Sequence, residues 1–308
     1  MRLSRCVVGL ALGVLIGCAP RTDVVLPELA SSLVCFYDFD HPDDGDDSVE
    51  QDRGASKTPL TLINGGAAMR VRDGAHTRST FSLQTRQIAP DTAGNDDWKA
   101  GVYEANGVPS LSAFSNTTGI TLMGWVKPTG PNPGLNTTTP DPADRFGAVG
   151  LFGLLSGTSD GHGVRALLEV IQVSGTLRLV ALGRRLDDGA SLVLAADDDW
   201  RALLPVDTWT HLAATFDFDA GTMALYRNGA PLTSTYATDD DAWAVSGPAE
   251  PDRTSAAAPA GIKIGGSFPQ NTAERNPFTG RLDDLMFFDT ALDAGDVRRQ
   301  YAHVTGLR

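Results

Sequence analysis

Acidic side chains near the two ends of the chain are the first residues whose type and spacing suggest chemistry. Asp38 and Asp40 lie two residues apart in an apolar run, which places them on one face of a strand. Asp283 and Asp284 form a doublet inside the apolar stretch "GRLDDLMFF". Neighbours in a regular strand point to opposite faces, so one carboxylate of the doublet should face the packed side. A buried carboxylate is costly unless a partner compensates its lost hydration.

Two kinds of partner would compensate the doublet. Calcium takes about six to eight oxygen ligands from carboxylates and carbonyls. One member of the doublet, with Asp38 or Asp40 and nearby backbone carbonyls, would make such a Ca²⁺ site. Alternatively, backbone N–H groups, a Ser or Thr hydroxyl, or an arginine such as Arg281 or Arg298 hold the doublet. Both readings stay open, because sequence does not show which carboxylates converge in space. The predicted metal ligands are Asp38, Asp40, Asp283 and Asp284.

Three loop segments combine aspartates with a tryptophan: "NDDWK", "DDDWR" and "TDDDAW". A Trp ring packs on the apolar face of a sugar, and carboxylates accept hydrogen bonds from sugar hydroxyls. Such aspartates could also hold a second calcium that bridges to a ligand. The alternative is that each Trp covers an edge of the core while its aspartates stay in water. The candidate ligand-binding residues are Trp98, Asp197, Asp199, Trp200, Asp241 and Trp243.

The sequence lacks familiar catalytic motifs. Glycoside hydrolysis generally needs two carboxyl groups about 5 to 10 Å apart, and no Glu-x-Asp-x-x-Glu pattern, which would place such groups on one strand, occurs. No Gly-x-Ser-x-Gly, His-Glu-x-x-His or phosphate-binding glycine loop is present. His211 reads as a structural strand residue, and His162 as a solvated loop residue. We therefore predict a protein that is not an enzyme, although triads that assemble in space leave no local motif.

The first residues read as a targeting signal. Arg2 and Arg5 precede an apolar run, residues 7–17, that is too short to span a bilayer. The following "LIGC" resembles the lipobox of bacterial lipoproteins, which implies that Cys18 becomes the lipidated first residue of the mature chain. We predict a signal peptide over 1–17, a lipidated cysteine with its tether over 18–31, and one domain over 32–308. An ordinary secretory signal with a chance cysteine is the alternative.

Composition limits the partners. The net charge of the 308-residue chain is -13, so a nucleic acid is a poor partner. The 33 glycines and 18 prolines are typical of a β-rich chain with many turns. A mature lipoprotein would keep only Cys18 and Cys35, so we expect no disulfide within the chain.

Short apolar runs separated by turn residues predict an all-β sandwich or barrel. Asn228-Gly229 and Ser174-Gly175 supply the positive φ angles of tight hairpins. Asp293 is a good N-cap for one terminal helix, which would dock through Val297 and Tyr301. The clearest strand runs are residues 119–128, 148–156, 165–173, 176–183, 190–196, 209–217, 222–232, 261–267 and 280–288.

Between residues 31 and 303 the chain resembles the laminin-G-like, concanavalin A-like jelly-roll domains of bacterial secreted proteins. The segments "LVCFYDFD", "GITLMGWVKP", "DTWTHLAATFD", "MALYRNGAPL" and "FTGRLDDLMFFDTALDAGDVRRQY" stand in the order of that family. The resemblance implies two antiparallel sheets packed face to face, with a short C-terminal helix. It also implies, in many members, one structural calcium ion where the first and last strands meet.

The resemblance and the lipobox together imply a function. We expect a lipid-anchored extracytoplasmic recognition module that binds a carbohydrate or a surface protein through the loops of a calcium-stabilised sandwich. We expect it in the cell envelope of a bacterium, at the outer membrane or the cell surface, since Ala19 follows the predicted lipidated cysteine. The alternatives are a glycan-active hydrolase or lyase with an unrecognised site, and a structural protein of the envelope.

Overall fold

The computed structural model describes residues 24–43, 45–62, 68–86, 99–130, 132, 149–155, 164–184, 191–237, 258–266 and 278–306. The predicted signal peptide and Cys18 lie outside these ranges. In the described part, no helix combines the length and apolarity needed to cross a bilayer. The strands are β1 (Leu33–Tyr37), β2 (Pro42–Asp43), β3 (Asp46–Glu50), β4 (Leu60–Leu62), β5 (Ala68–Val71), β6 (Ser82–Thr85), β7 (Ala100–Tyr103), β8 (Gly119–Pro128), β9 (Val149–Leu155), β10 (Val164–Val173), β11 (Thr176–Arg184), β12 (Ser191–Ala196), β13 (Thr210–Asp217), β14 (Thr222–Arg227), β15 (Ala230–Pro231), β16 (Ser234–Tyr236), β17 (Gly261–Ile264) and β18 (Gly280–Phe288). The α-helices are α1 (Trp200–Leu203) and α2 (Ala294–Thr305), and 3₁₀ turns occur at Pro27–Leu29 and Pro109–Ser115.

The strands form two antiparallel sheets, which confirms the predicted fold class. One sheet has the order β15-β14-β13-β8-β18-β6-β5, and β1 also pairs with β18. The other has the order β16-β12-β11-β10-β9-β17-β7-β4-β3-β2. The inner faces enclose the main core, where Leu122, Phe152, Phe216 and Phe287 are buried. The first and last strands of the described chain are therefore neighbours, as the family resemblance implies.

A second core lies on the outer face of the eight-stranded sheet. Trp125 and Phe288 of the sheet meet Val297 of α2 and Leu29 of the amino-terminal segment there. One side-chain amide joins the two chain ends: Gln300 accepts the Leu26 N–H at 2.8 Å and donates to the Val24 carbonyl at 2.7 Å. This part of the outer face is covered by the chain itself and is not available to a ligand.

The local signals read from the sequence operate as expected. Asn228 and Gly229 adopt φ angles of 50° and 76°, and Ser174 and Gly175 adopt 49° and 80°. Positive φ at both central residues gives the turn a twist that matches the flanking strands. The Asp293 carboxylate accepts the Asp296 N–H at 2.8 Å and caps α2. Both hairpins and the helix start are thus determined locally.

The acidic doublet departs from the predicted alternation. Pairing of β18 with β8 shifts register between Asp283 and Met286, and Asp284 has a φ of 46°. Such a bulge inserts an extra residue and re-aims side chains, and Asp tolerates the left-handed conformation better than most residues do. Both carboxylates consequently reach the same loop, where they contact Ala75 and His76. The prediction that they point to opposite faces is wrong.

Candidate binding surface

The acidic doublet is paired with the β5–β6 loop, residues 72–81. The Asp283 carboxylate accepts the Ala75 N–H at 2.8 Å, the Ser79 hydroxyl at 2.7 Å and the Asp284 N–H at 2.9 Å. The His76 ring contacts the Asp284 carboxylate at 2.5 Å. Asp283 therefore has the partners of the alternative reading, namely backbone N–H groups and a serine hydroxyl.

Burial controls the protonation of the groups beneath this loop. Burial raises the pKa of the Asp283 carboxyl well above its usual range, and the charge of neighbouring Asp284 raises it further. His211 lies on the same outer face, with its ring 5.2 Å from that of Trp125 and 5.6 Å from that of Tyr301. Burial, and then the charge of His76, lowers the pKa of His211 to about 3. These groups form a sealed interior.

The carboxylates of the opening strand have other partners. Asp40 accepts the N–H groups of Thr80 and Phe81 at 3.2 and 2.9 Å. Asp38 contacts the His41 ring at 2.8 Å and the Arg53 guanidinium at 3.3 Å. Of these two predicted calcium ligands, Asp40 thus holds the β5–β6 loop and Asp38 forms an ion pair with Arg53.

A second acidic group lies beside Asp38. One ligand atom each from Asp38, His41 and Glu50 lies within 4.8 Å of the others. The buried side chain of Arg70 contacts Glu50 at 2.5 Å. Burial raises the pKa of Glu50 to about 8, although Arg70 acts against the rise. Positive charge in this group comes from Arg53 and Arg70, so the donors fit an ion-pair network better than a calcium cage. Calcium binding stays a prediction.

Of the three tryptophan and aspartate clusters, only "DDDWR" has its tryptophan and aspartates among the described residues. Trp98, Asp241 and Trp243 lie outside the described residues. Trp200 opens α1 and is buried in the main core, with the Arg201 guanidinium 4.8 Å from the ring centre. It covers a core edge, as in the alternative reading, and offers no sugar-facing ring. Asp199 accepts the Arg201 N–H at 2.9 Å as the N-cap of α1, and exposed Asp197 accepts the Thr235 hydroxyl at 2.9 Å.

A row of side chains that the sequence analysis did not single out crosses the outer face of the eight-stranded sheet. Arg281 pairs with Lys127 on one side and with Gln84 on the other. Gln84 in turn pairs with Met69 at the sheet edge. Trp209 immediately precedes β13 and lies beside Lys127, whose ammonium is 5.1 Å from the indole centre. The cross-sheet row consists of Trp209, Lys127, Arg281, Gln84 and Met69.

Contacts hold the cross-sheet row in place and leave it partly exposed, with the Lys127 side chain 13% exposed. The Arg281 guanidinium donates to the Gln84 side-chain oxygen at 2.9 Å. Asp73, at the start of the β5–β6 loop, pairs with both Lys127 and Arg281. The side chains of Arg281 and Asp73 remain 27% and 29% exposed, and Met69 is 43% exposed. The row is therefore an ordered surface that a ligand can reach.

A family model described as the concanavalin A-like lectin/glucanases superfamily, Laminin_G_3, matches residues 99–298. The chain belongs to this superfamily. The match runs from just before β7 into α2 and so includes three of the five residues of the cross-sheet row, Trp209, Lys127 and Arg281. A search of curated protein sequences finds no match to the chain.

Solved structures with a similar fold include binding domains of toxins. The binding domain of Paraclostridial Mosquitocidal Protein 1 has a TM-score of 0.50 and 15% identity, and the match covers 89% of this chain and 52% of that chain. The binding domain of botulinum neurotoxin DC, in complex with rat synaptotagmin II, has a TM-score of 0.53 and 11% identity, and the match covers 90% of this chain and 52% of that chain. A structure of botulinum neurotoxin type C has a TM-score of 0.51 and 10% identity, and the match covers 90% of this chain and 52% of that chain. The chain spans about half the length of these structures, and identities this low show the fold alone.

In this superfamily member, a cleft adjoins the cross-sheet row at the sheet edge. It encloses about 360 Å³ and lies where the β2–β3 hairpin faces β5. Asp47 and Ser48 line it on one side, and Met69, Arg70 and Phe81 on the other. Met69 thus belongs to both features and makes them one continuous surface.

The sequence signal for the cross-sheet row is the alternation of inward-facing and outward-facing side chains along each strand. In "GWVKP", Val126 is buried in the main core whereas Trp125 and Lys127 face outward. The same alternation assigns Arg281 and Gln84 to the outer face. Alternation alone does not say that these strands are neighbours, so the row becomes visible only with the strand order.

Proposed function

We propose that this chain is a recognition module that binds a carbohydrate polymer through the outer face of its eight-stranded sheet. The observation that carries the proposal is the cross-sheet row. Two cations, an amide and a thioether lie side by side on four adjacent strands, and an indole immediately before a fifth strand extends the row. Membership of a superfamily described as lectins and glucanases supports the same function.

The dimensions of the row suit an extended ligand. Adjacent strands are about 4.8 Å apart, so five strands span roughly 19 Å. That length exceeds one sugar ring and fits a short stretch of polymer. The partly exposed indole of Trp209 offers apolar surface to ring C–H groups, and Arg281 offers N–H donors to hydroxyls or acids.

Binding of a protein is the second candidate. It is favoured by the structural likeness to the binding domain of botulinum neurotoxin DC, which was solved with synaptotagmin II bound. The cleft between the β2–β3 hairpin and β5 could receive a peptide side chain. A carbohydrate is the better-supported ligand, because the row combines an indole with polar N–H donors at a partly exposed surface.

The test is binding to a polysaccharide panel by affinity electrophoresis and calorimetry. We expect Trp209→Ala to weaken binding at least about tenfold, as loss of an aromatic contact commonly does. Tyr103→Ala is the matched control, because Tyr103 is an exposed aromatic on the other sheet. Arg281→Ala serves as a second variant if Trp209→Ala fails to fold. Full binding by both row variants would refute the proposal, as would binding of no polysaccharide.

The module is further proposed to be held at the bacterial cell envelope by a lipid on Cys18, at the outer membrane or the cell surface. Support comes from the lipobox-like "LIGC" after an apolar run. In cells, Cys18→Ser should move the protein from the membrane fraction to the soluble fraction. A wild-type protein that is already soluble would contradict the lipid anchor.

We propose a binding role without catalysis. The absence of familiar catalytic motifs from the sequence supports this role. Incubation with the polysaccharides that bind should release no reducing sugar above the control. Release that requires the intact protein would establish the hydrolase or lyase alternative.

A further inference from the structure

The charges of the cross-sheet row differ in sign from those of the whole chain. The net charge is -13, yet Lys127 and Arg281 stand directly opposite each other on neighbouring strands. Like charges in that position repel, and the arrangement is unfavourable unless an anion lies between them. Asp73 is that anion, since its carboxylate contacts both cations.

Asp73 reaches the two cations from outside the sheet. It belongs to the β5–β6 loop and not to a strand that pairs with β8 or β18. Its partial burial raises its pKa, but the hydrogen bonds and charges of Lys127 and Arg281 outweigh this and hold the pKa below its usual range. A carboxylate is therefore stable as an anion at this point on the surface.

We propose that Lys127 and Arg281 form a subsite for the acidic group of a polysaccharide, a carboxylate or a sulfate, with Asp73 as the anion that the chain itself places there. This inference rests on the proposed function and specifies its substrate class. Arginine binds planar acids through two parallel N–H donors, and lysine adds a point charge. Trp209, beside Lys127, would contact the ring that carries the acid.

The geometry also predicts the effect of Asp73. With two cations and one carboxylate, the triad has a net charge of +1, so an acidic group is attracted but competes with Asp73. Removal of that carboxylate frees both cations and raises the local charge to +2. Asp73→Asn should therefore strengthen binding of an acidic polymer and leave binding of a neutral one unchanged.

The experiment uses two pairs of probes that differ in charge. Polygalacturonate is compared with its methyl-esterified form, and dextran sulfate with dextran, by calorimetry at two salt concentrations. We expect one acidic member to bind at least about tenfold more tightly than its neutral counterpart, with affinity falling as salt rises. A preference for polygalacturonate would identify a carboxylate ligand, and one for dextran sulfate a sulfate ligand.

Variants separate this inference from the proposed function. Asp73→Asn should raise affinity for the acidic probe several-fold, and Arg281→Gln should lower it about tenfold. Arg281→Lys keeps the charge but loses the paired N–H donors, so it should lower the affinity by less than Arg281→Gln does. Thermal melting verifies that each variant is folded, and Arg281→Lys keeps the test valid if Asp73→Asn does not fold. Equal affinity for acidic and neutral probes, with Trp209→Ala still deleterious, would overturn the inference and leave the proposed function standing. Binding of no polysaccharide would overturn both.

Discussion

Two residues of the closing strand, Arg281 and Asp283, lie two positions apart on the same outer face and have opposite surroundings. Arg281 is 27% exposed and belongs to the cross-sheet row, whereas Asp283 is fully buried beneath the β5–β6 loop. The loop begins with Asp73 over Arg281 and continues with Ala75 and Ser79 over Asp283. One loop thus divides the strand into a part available for recognition and a part that stabilises the fold.

The largest expected effect on stability comes from substitution of Asp283, which is buried beneath the β5–β6 loop. Asp283→Ala leaves the N–H groups of Ala75 and Asp284 without an acceptor, and each buried unsatisfied donor costs about 1–3 kcal/mol. It also removes one of the two acceptors of the Ser79 hydroxyl, which keeps the Phe81 carbonyl. We expect a loss of roughly 4 kcal/mol in the free energy of unfolding, measured in urea. Asp198→Ala, at an exposed position outside the strands and helices, is the control and should change it by less than about 0.5 kcal/mol. A loss below about 1 kcal/mol for Asp283→Ala would mean that the doublet does not anchor the loop.

The next effect is the pH dependence of His211. Its pKa is lowered to about 3 in the folded protein, from an ordinary value of 6.5. The unfolded chain therefore binds more protons between these values, and stability is lost as pH falls below 6.5. The folding constant should drop about tenfold per pH unit in this window.

A His211→Phe variant isolates this contribution. Asp283, whose pKa is raised above 3.8, has the opposite sign, because its share of stability is lost as pH rises. Subtracting the unfolding free energies of wild type and variant at each pH removes the Asp283 contribution. A difference that stays constant from pH 6.5 to pH 4 would show that His211 is not held neutral.

Substitution of Arg281, which is partly exposed on β18, should have only a small effect on stability. Arg281→Ala removes a partly exposed ion pair and one hydrogen bond to Gln84, so we expect the free energy of unfolding to fall by less than about 1 kcal/mol. The same variant should lose ligand affinity, as described above. A loss of stability as large as that of Asp283→Ala would show that the row is part of the fold and not a separate binding surface.

The smallest expected effect is that of calcium. A structural site filled at 100-fold excess over its Kd would add about 2.7 kcal/mol, which shifts melting by several degrees. Because the carboxylates are already engaged with N–H, O–H and guanidinium donors, we expect chelator and calcium to leave the melting temperature unchanged. A chelator-sensitive shift that Asp283→Asn abolishes would establish the calcium site predicted from the sequence.

The elements of the fold could be predicted where local signals define them. The predicted strand over residues 119–128 and the run "GRLDDLMFF" coincide with β8 and β18, because apolar runs and turn residues bound both. The bulge at Asp284 could not be predicted, because its left-handed φ is maintained by a loop some 200 positions away in the chain. The cross-sheet row was also out of reach, since it depends on the order β13-β8-β18-β6-β5, which joins segments distant in sequence.

The most direct test of the central claim is to locate the bound polysaccharide on the protein. A photoreactive benzophenone side chain is placed at the position of Met69, the exposed end of the cross-sheet row, and separately at that of Tyr103 on the other sheet. After irradiation with the polysaccharide that binds, we predict cross-linking from position 69 and none from position 103. Cross-linking from position 103 alone would place the ligand on the other sheet and contradict the account.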